Sequence, residues 1–95
     1  PFMETIAKPG VTEAEAIENI SSGGTAMVRA AAKTFRDVII ITNPARYSSL
    51  IAMLQQHGDA DMKTRKTLAK EAFTHTSEYD AAISAYLTKQ LAEGK

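Results

Sequence analysis

The sequence predicts a mostly helical α/β fragment, with four to five helices around one parallel-type strand at 37–42. Three observations carry that reading. Apolar residues recur at helical spacing in several stretches, and Gly, Ser, Asn-Pro and Asp signals separate them. Val38-Ile39-Ile40-Ile41 is a continuous β-branched run between Asp37 and Asn43-Pro44, which suits a strand buried on both faces. It is the one strong strand signal in the 95 residues.

Taken in order, Val11-Thr12-Glu13-Ala14-Glu15-Ala16 reads as a helix start. Thr12 is placed to accept the Glu15 backbone N–H while the Glu15 side chain reaches back, and Val11 to pack on Ala16. That short helix ends near Ile20, and Ser21-Ser22-Gly23-Gly24 breaks the chain. Thr25 to Phe35 is rich in Ala, and Met27, Val28, Ala31 and Phe35 share a face, so a second helix is expected there. After the strand, Asn43 caps a helix whose first residue is Pro44, with Tyr47, Leu50, Ile51 and Leu54 on one side and Gly58 as the stop. Asp61 caps a further helix carrying Leu68, Ala69, Ala72 and Phe73. Tyr79, Ile83, Tyr86, Leu87 and Leu91 continue its apolar stripe almost to the C-terminus. Thr74-His75-Thr76-Ser77 is expected to kink or divide it, because hydroxyl side chains compete for backbone hydrogen bonds.

Composition narrows the function classes. Eleven Lys+Arg balance eleven Asp+Glu, so there is no basic excess to drive binding to nucleic acid or an anionic membrane. The absence of cysteine excludes disulfides, thiolate zinc sites, iron–sulfur clusters and a Cys nucleophile. No apolar run approaches the roughly 20 residues of a membrane span, and Pro1-Phe2-Met3-Glu4 lacks the basic start of a signal peptide, so a cytoplasmic setting is expected. With no initiator Met, the chain reads as a piece cut from something longer.

Several segments point to a family. Pro1-Phe2, Lys8-Pro9-Gly10-Val11-Thr12, Glu15-Ala16-Ile17-Glu18-Asn19-Ile20, Gly23-Gly24, Met27-Val28-Arg29-Ala30-Ala31-Ala32-Lys33 and Ala72-Phe73-Thr74-His75-Thr76-Ser77-Glu78-Tyr79-Asp80 lie in order along essentially the whole chain. Together they resemble the IMP cyclohydrolase domain of the bifunctional AICAR transformylase/IMP cyclohydrolase family. The resemblance implies a single partial domain over 1–95, the C-terminal half of a methylglyoxal-synthase-like cyclohydrolase domain, with the transformylase domain absent. The family's reaction closes the purine ring: the carboxamide nitrogen of formylated AICAR attacks the formyl carbon and water is lost to give IMP. Such chemistry needs a proton donor and acceptor, an oxyanion stabiliser and a phosphate clamp, and implies no metal or organic cofactor.

Lys33 matches the family lysine that serves in proton transfer, a role a lysine fills when burial or nearby positive charge lowers its pKa. The bland alternative is that Lys33 only complements the dipole in the last helical turn. The family pattern I-D-I-G-G-P is Ile20-Ser21-Ser22-Gly23-Gly24-Thr25 here, so Ser21 replaces an aspartate that contacts the base and shares in catalysis. The family's Asn after the lysine is Thr34. The family's Asn-Tyr pair before Pro1-Phe2, its upstream phosphate loop and its Lys-Thr pair fall outside the chain. A competent cyclohydrolase is therefore not expected from these residues alone.

Ser21, Ser22, Gly23, Gly24 and Thr25 also resemble the S-T-G-G-T loop that holds phosphate elsewhere in such domains, since hydroxyls and glycines before a helix present free N–H groups. Alternatively, Ser22 or Thr25 caps the helix and the glycines make the turn. His57 reads as an end-of-helix residue and His75 as structural, without partners at metal-ligand spacing. Lys63, Arg65, Lys66 and Lys70 read as a solvated basic face followed by Glu71, Glu78 and Asp80. Because Val38–Ile41 needs a neighbour, either Phe2–Ile6, a second copy or strands outside the chain must pair with it, and a homodimer is expected. The rival reading is a noncatalytic, engineered or excised folding and assembly module.

Overall fold

A computed structural model describes residues 2–93. Five α-helices follow in order: α1 Phe2–Ile6, α2 Glu13–Glu18, α3 Gly23–Lys33, α4 Tyr47–His57 and α5 Met62–Glu93. A 3-10 turn, Pro44–Arg46, leads into α4. Among the described residues no helix is long and apolar enough to cross a membrane.

The local signals act largely as expected. Thr12 Oγ1 accepts the Glu15 N–H at 3.1 Å, although the hydroxyl donates to the Glu15 carboxylate in place of the backbone half of a capping box. Asn43 Oδ1 accepts the Ala45 N–H at 3.0 Å, with Pro44 heading the turn. Gly58, at φ 76°, closes α4 by donating its N–H to the Leu54 carbonyl at 2.8 Å. A left-handed φ at that position favours glycine, so the stop is sharp. Asp61 Oδ1 accepts the Thr64 N–H at 2.8 Å and starts α5.

Two expectations need correcting. Residues 37–42 form no strand, and no strand occurs among the described residues: a turn over 34–37 runs into irregular backbone through Asn43. A ladder requires a neighbour, and Phe2–Ile6, the candidate within the chain, is helical. The β-branched run is left with Val38 exposed and Ile39, Ile40 and Ile41 partly covered. Secondly, α5 is one helix of 32 residues and is not divided at Thr74–Ser77. Thr76, 1% exposed, donates its hydroxyl to the Phe73 carbonyl at 3.0 Å, so it finds its partner within the helix.

The helix α5 is the axis of the molecule. At 1.5 Å per residue it is about 48 Å long, and the molecule measures 58 × 23 × 17 Å. The radius of gyration, 16.9 Å, exceeds the about 12 Å of a compact chain of this length. The other elements lie along α5 instead of closing a core around it. Ala32 of α3 meets Ala69 and Ala72 of α5, with Val28, Phe35 and Ile40 packed against them. Methyl-sized contacts let the two backbones approach closely but bury little apolar area.

The two helices run antiparallel. From one end to the other, Phe35 meets Arg65, Ala32 meets the Ala69 and Ala72 pair, the Arg29 guanidinium lies 5.5 Å over the Phe73 ring, and Ser21 meets Tyr79. Beyond α3, Phe2 is fully buried edge-on against Tyr79 and Tyr86, with ring centroids 6.0 and 5.8 Å apart.

Candidate functional site

The five loop residues singled out from the sequence do sit together at the start of α3, with the Ser21 and Thr25 hydroxyls turned to the chain's own backbone. Ser21 Oγ accepts the Gly24 N–H at 3.1 Å. The Thr25 hydroxyl turns back to the carbonyls of Ser21 and Ser22, at 3.2 and 3.1 Å. Ser22, at the N-cap position, makes no capping bond with its side chain. The expected cap at Ser22 or Thr25 is therefore supplied by Ser21, one residue earlier. Gly24 follows from that geometry: a Cβ there would stand 2.6 Å from Ser21 Oγ. Gly23 has open space around the same position.

Lys33 is the last residue of α3, exposed, with no ion pair among the described residues. The next residue, Thr34, bonds its hydroxyl to the carbonyls of Ala30 and Ala31 at 3.0 and 3.2 Å. From Gly23 to Lys33 the helix rises about 15 Å. The structure therefore does not bring the loop and Lys33 to one point. Three open clefts, of about 350, 370 and 530 Å³, lie elsewhere. The first is lined by residues such as Arg46, Leu50 and Lys63, the second by Asn43, Thr74 and His75, the third by Ile6, Tyr86 and Gln90, and none draws a side chain from 21–25 or Lys33. Among the described residues no group of three or more His, Asp or Glu side chains is placed to hold a metal.

Side chains read at first as apolar stripe or solvated surface hold the two ends of α3. The Tyr79 phenol oxygen accepts the Ser21 N–H at 2.8 Å and donates to the Asn19 carbonyl at 3.4 Å. Arg65, assigned above to a solvated face, is 9% exposed. Its guanidinium donates to the Phe35 carbonyl at 3.3 Å, the Ala60 carbonyl at 3.2 Å and the Asp59 carboxylate at 2.6 Å. The Ala60 N–H and then the Arg65 guanidinium hold the Asp59 carboxyl below its ordinary pKa, and the Thr64 hydroxyl and N–H do the same for Asp61. Farther along, Glu71 takes Arg46 in a forked pair, with Nε at 3.2 and 3.1 Å from the two carboxylate oxygens, joining the start of α4 to α5. Helical spacing put Tyr79 on the stripe with Phe73 and Ile83, but no pattern reports where a phenol tip ends. For Arg65, the signal available was its position four residues after the capping Asp61, in the first turn of a helix.

Relatives were found by comparison with known proteins. The family model described as AICARFT/IMPCHase bienzyme matches residues 31–95. The bifunctional purine biosynthesis protein PurH of Desulfitobacterium hafniense is 55% identical over 93 residues, covering 98% of this chain and 18% of that protein. The protein of the same name from Limosilactobacillus reuteri is 52% identical over 90 residues, and that of Bacillus mycoides 50% over 93. The chain spans 18% of the length of each of these relatives. With the family model covering most of its residues and half or more of the aligned positions identical to those relatives, the chain belongs to the AICARFT/IMPCHase bienzyme family.

Proposed function

We propose that the chain is the C-terminal half of the IMP cyclohydrolase domain of a bifunctional purine biosynthesis protein, and that it is inactive by itself. The observation that carries the second clause is that Lys33 stands exposed and none of the clefts described above joins it to Ser21–Thr25. Ring closure of formylated AICAR needs the base, the phosphate and a proton-transfer group held in one place. In this reading Lys33 serves proton transfer, the loop contacts the nucleotide, and the rest of the domain folds over both. The run Val38–Ile41, irregular here, then supplies a strand to the methylglyoxal-synthase-like sheet of the parent protein or of a dimer partner, which would satisfy its backbone. The parent protein acts in the cytoplasm on a small nucleotide, without a metal.

Ser21 favours a second reading, a noncatalytic folding module. A serine has no charge to orient the amide nitrogen or hold a proton, so the position has lost what the family's aspartate supplies. One chimera separates these readings. The segment replaces its counterpart in the D. hafniense relative, and cyclohydrolase and transformylase activities are assayed side by side. Cyclohydrolase activity is expected to fall at least a hundredfold with transformylase activity retained, and Ser21→Asp is expected to restore it. Loss of transformylase activity alone would overturn the assignment to the cyclohydrolase half. Failure of Ser21→Asp to restore turnover favours the folding module.

A further inference from the structure

One residue of α5, Tyr79, joins the loop at the start of α3 to the rest of the molecule. Ser21 is exposed, and loops of small residues wander unless something fixes their backbone. Within the loop the Thr25 hydroxyl donates to the Ser21 carbonyl, and from α5 the anchor is one atom. The Tyr79 phenol oxygen takes the Ser21 N–H and gives its own proton to the Asn19 carbonyl, spanning the loop from the end of α2 to the approach to α3. The ring behind it cannot swing away, because Phe2 packs edge-on against it and is itself fully buried. With Ser21 held, its hydroxyl points to the Gly24 N–H. The same number of residues separates Ser21 from Phe35 as separates Tyr79 from Arg65. α5 thus holds both ends of α3 at matched spacing.

We propose that Tyr79 is a positioning residue: through its hydroxyl it sets the backbone of Ser21 and thereby the orientation in which the loop 21–25 meets a nucleotide. The proposal rests on the reading of that loop as nucleotide-facing. Tyr79 itself need not touch the ligand. A phenol suits the task because it donates and accepts at once without a net charge, so it holds an N–H and a carbonyl of the same loop.

The test compares the full chain with Tyr79→Phe, which keeps the ring against Phe2 and removes only the oxygen. Amide hydrogen exchange reads Ser21 directly, and IMP titrated to millimolar concentration reads the loop through the amide shifts of residues 21–26. In Tyr79→Phe the Ser21 amide is expected to exchange about five- to tenfold faster, the scale of one lost hydrogen bond. IMP affinity is expected to fall by a similar factor, while exchange at Ala69 and Ala72 stays unchanged. A Ser21 amide that exchanges at the same rate in both proteins, or at the random-coil rate in the unsubstituted chain, would overturn the positioning role. If exchange changes as expected but the unsubstituted chain shows no IMP shifts at 21–26, the hydrogen bond stands and the nucleotide-facing reading of the loop falls, taking the functional role of Tyr79 with it.

Discussion

The two ends of α3 are held to α5 by opposite means. At the N-terminal end a neutral phenol, backed by a fully buried Phe2, takes one N–H and one carbonyl of an exposed loop. At the C-terminal end a buried guanidinium takes two carbonyls and a carboxylate. The neutral end draws its strength from the aromatic packing behind the hydrogen bond. The charged end draws it from the hydrogen bonds themselves, since a desolvated guanidinium must have its donors filled. The first is therefore sensitive to volume and the second to partners and pH.

Volume at the neutral end carries the largest expected effect. Phe2→Ala removes a ring with no solvent exposure and leaves Tyr79 and Tyr86 facing a void. A loss of about 3 kcal/mol in urea unfolding is expected, at the lower end of the range for buried Phe because the five-residue α1 can shift toward the gap. Phe2→Leu is expected to recover about half of it. A loss below about 1 kcal/mol would mean that the aromatic backing contributes little and that the comparison between the ends is wrong.

Next comes Arg65→Met, which keeps much of the stem and deletes the fork. The Phe35 and Ala60 carbonyls lose a charged donor, and a cost of about 2 kcal/mol is expected. Asp59, largely solvated, is not stranded, which keeps the cost below that of breaking a fully buried pair. Arg65→Lys is expected to recover little, because one ammonium cannot reproduce the planar fork toward three acceptors. Amide shifts should concentrate at 34–37 and 59–61 and leave Ser21 unmoved. Movement of Ser21 in this variant would show that the ends are coupled rather than separately held.

Much of this arrangement was legible in the sequence, and the reason it stops is physical. Caps depend on neighbours a few residues away, so Thr12, Asn43, Gly58 and Asp61 could be read directly. Val38–Ile41 was legible as β-branched, but a strand is a property of two segments, and the described residues provide one. Thr76 carried the composition of a break, yet its hydroxyl bonds within its own helix. For the candidate site, composition placed Ser21–Thr25 at a helix start. It did not show that Ser21 supplies the cap, that Tyr79 holds the loop, or that Lys33 lies a helix length away. Those are contacts across nearly sixty residues or distances along an axis, and local pattern reports neither.

Acid should act on the charged end before the neutral one. Asp59 and Asp61 both have folded pKa values below their ordinary ones, so each binds its proton less readily in the folded chain than in the unfolded one. Their contribution is complete above the unfolded carboxylate pKa of about 4 and is lost as pH falls through the lower folded values. A urea midpoint followed from pH 7 downward should hold until about pH 4.5 and then drop. In Asp59→Asn the drop should be shallower. An equal drop in Asp59→Asn would remove Asp59 from the account.

The smallest change in stability is expected at Gly24, where two effects oppose. Alanine is favoured over glycine within a helix by up to about 1 kcal/mol, less in a first turn. Against that, the new Cβ would stand 2.6 Å from Ser21 Oγ, so the hydroxyl must rotate away from the Gly24 N–H. The cap lost in this way is itself worth about 1 kcal/mol. Gly24→Ala should therefore unfold within about 0.5 kcal/mol of the parent, and amide exchange at residue 24 should accelerate severalfold. If stability instead rises by the full helix preference, Ser21 contributes nothing as a cap, and the neutral end of α3 rests on Tyr79 alone. A Ser21→Ala variant tells the remaining cases apart: with the hydroxyl gone, the alanine at 24 meets no obstacle and should stabilise outright. The two substitutions would then combine more favourably than the sum of their separate effects, which is the signature of two side chains competing for one space.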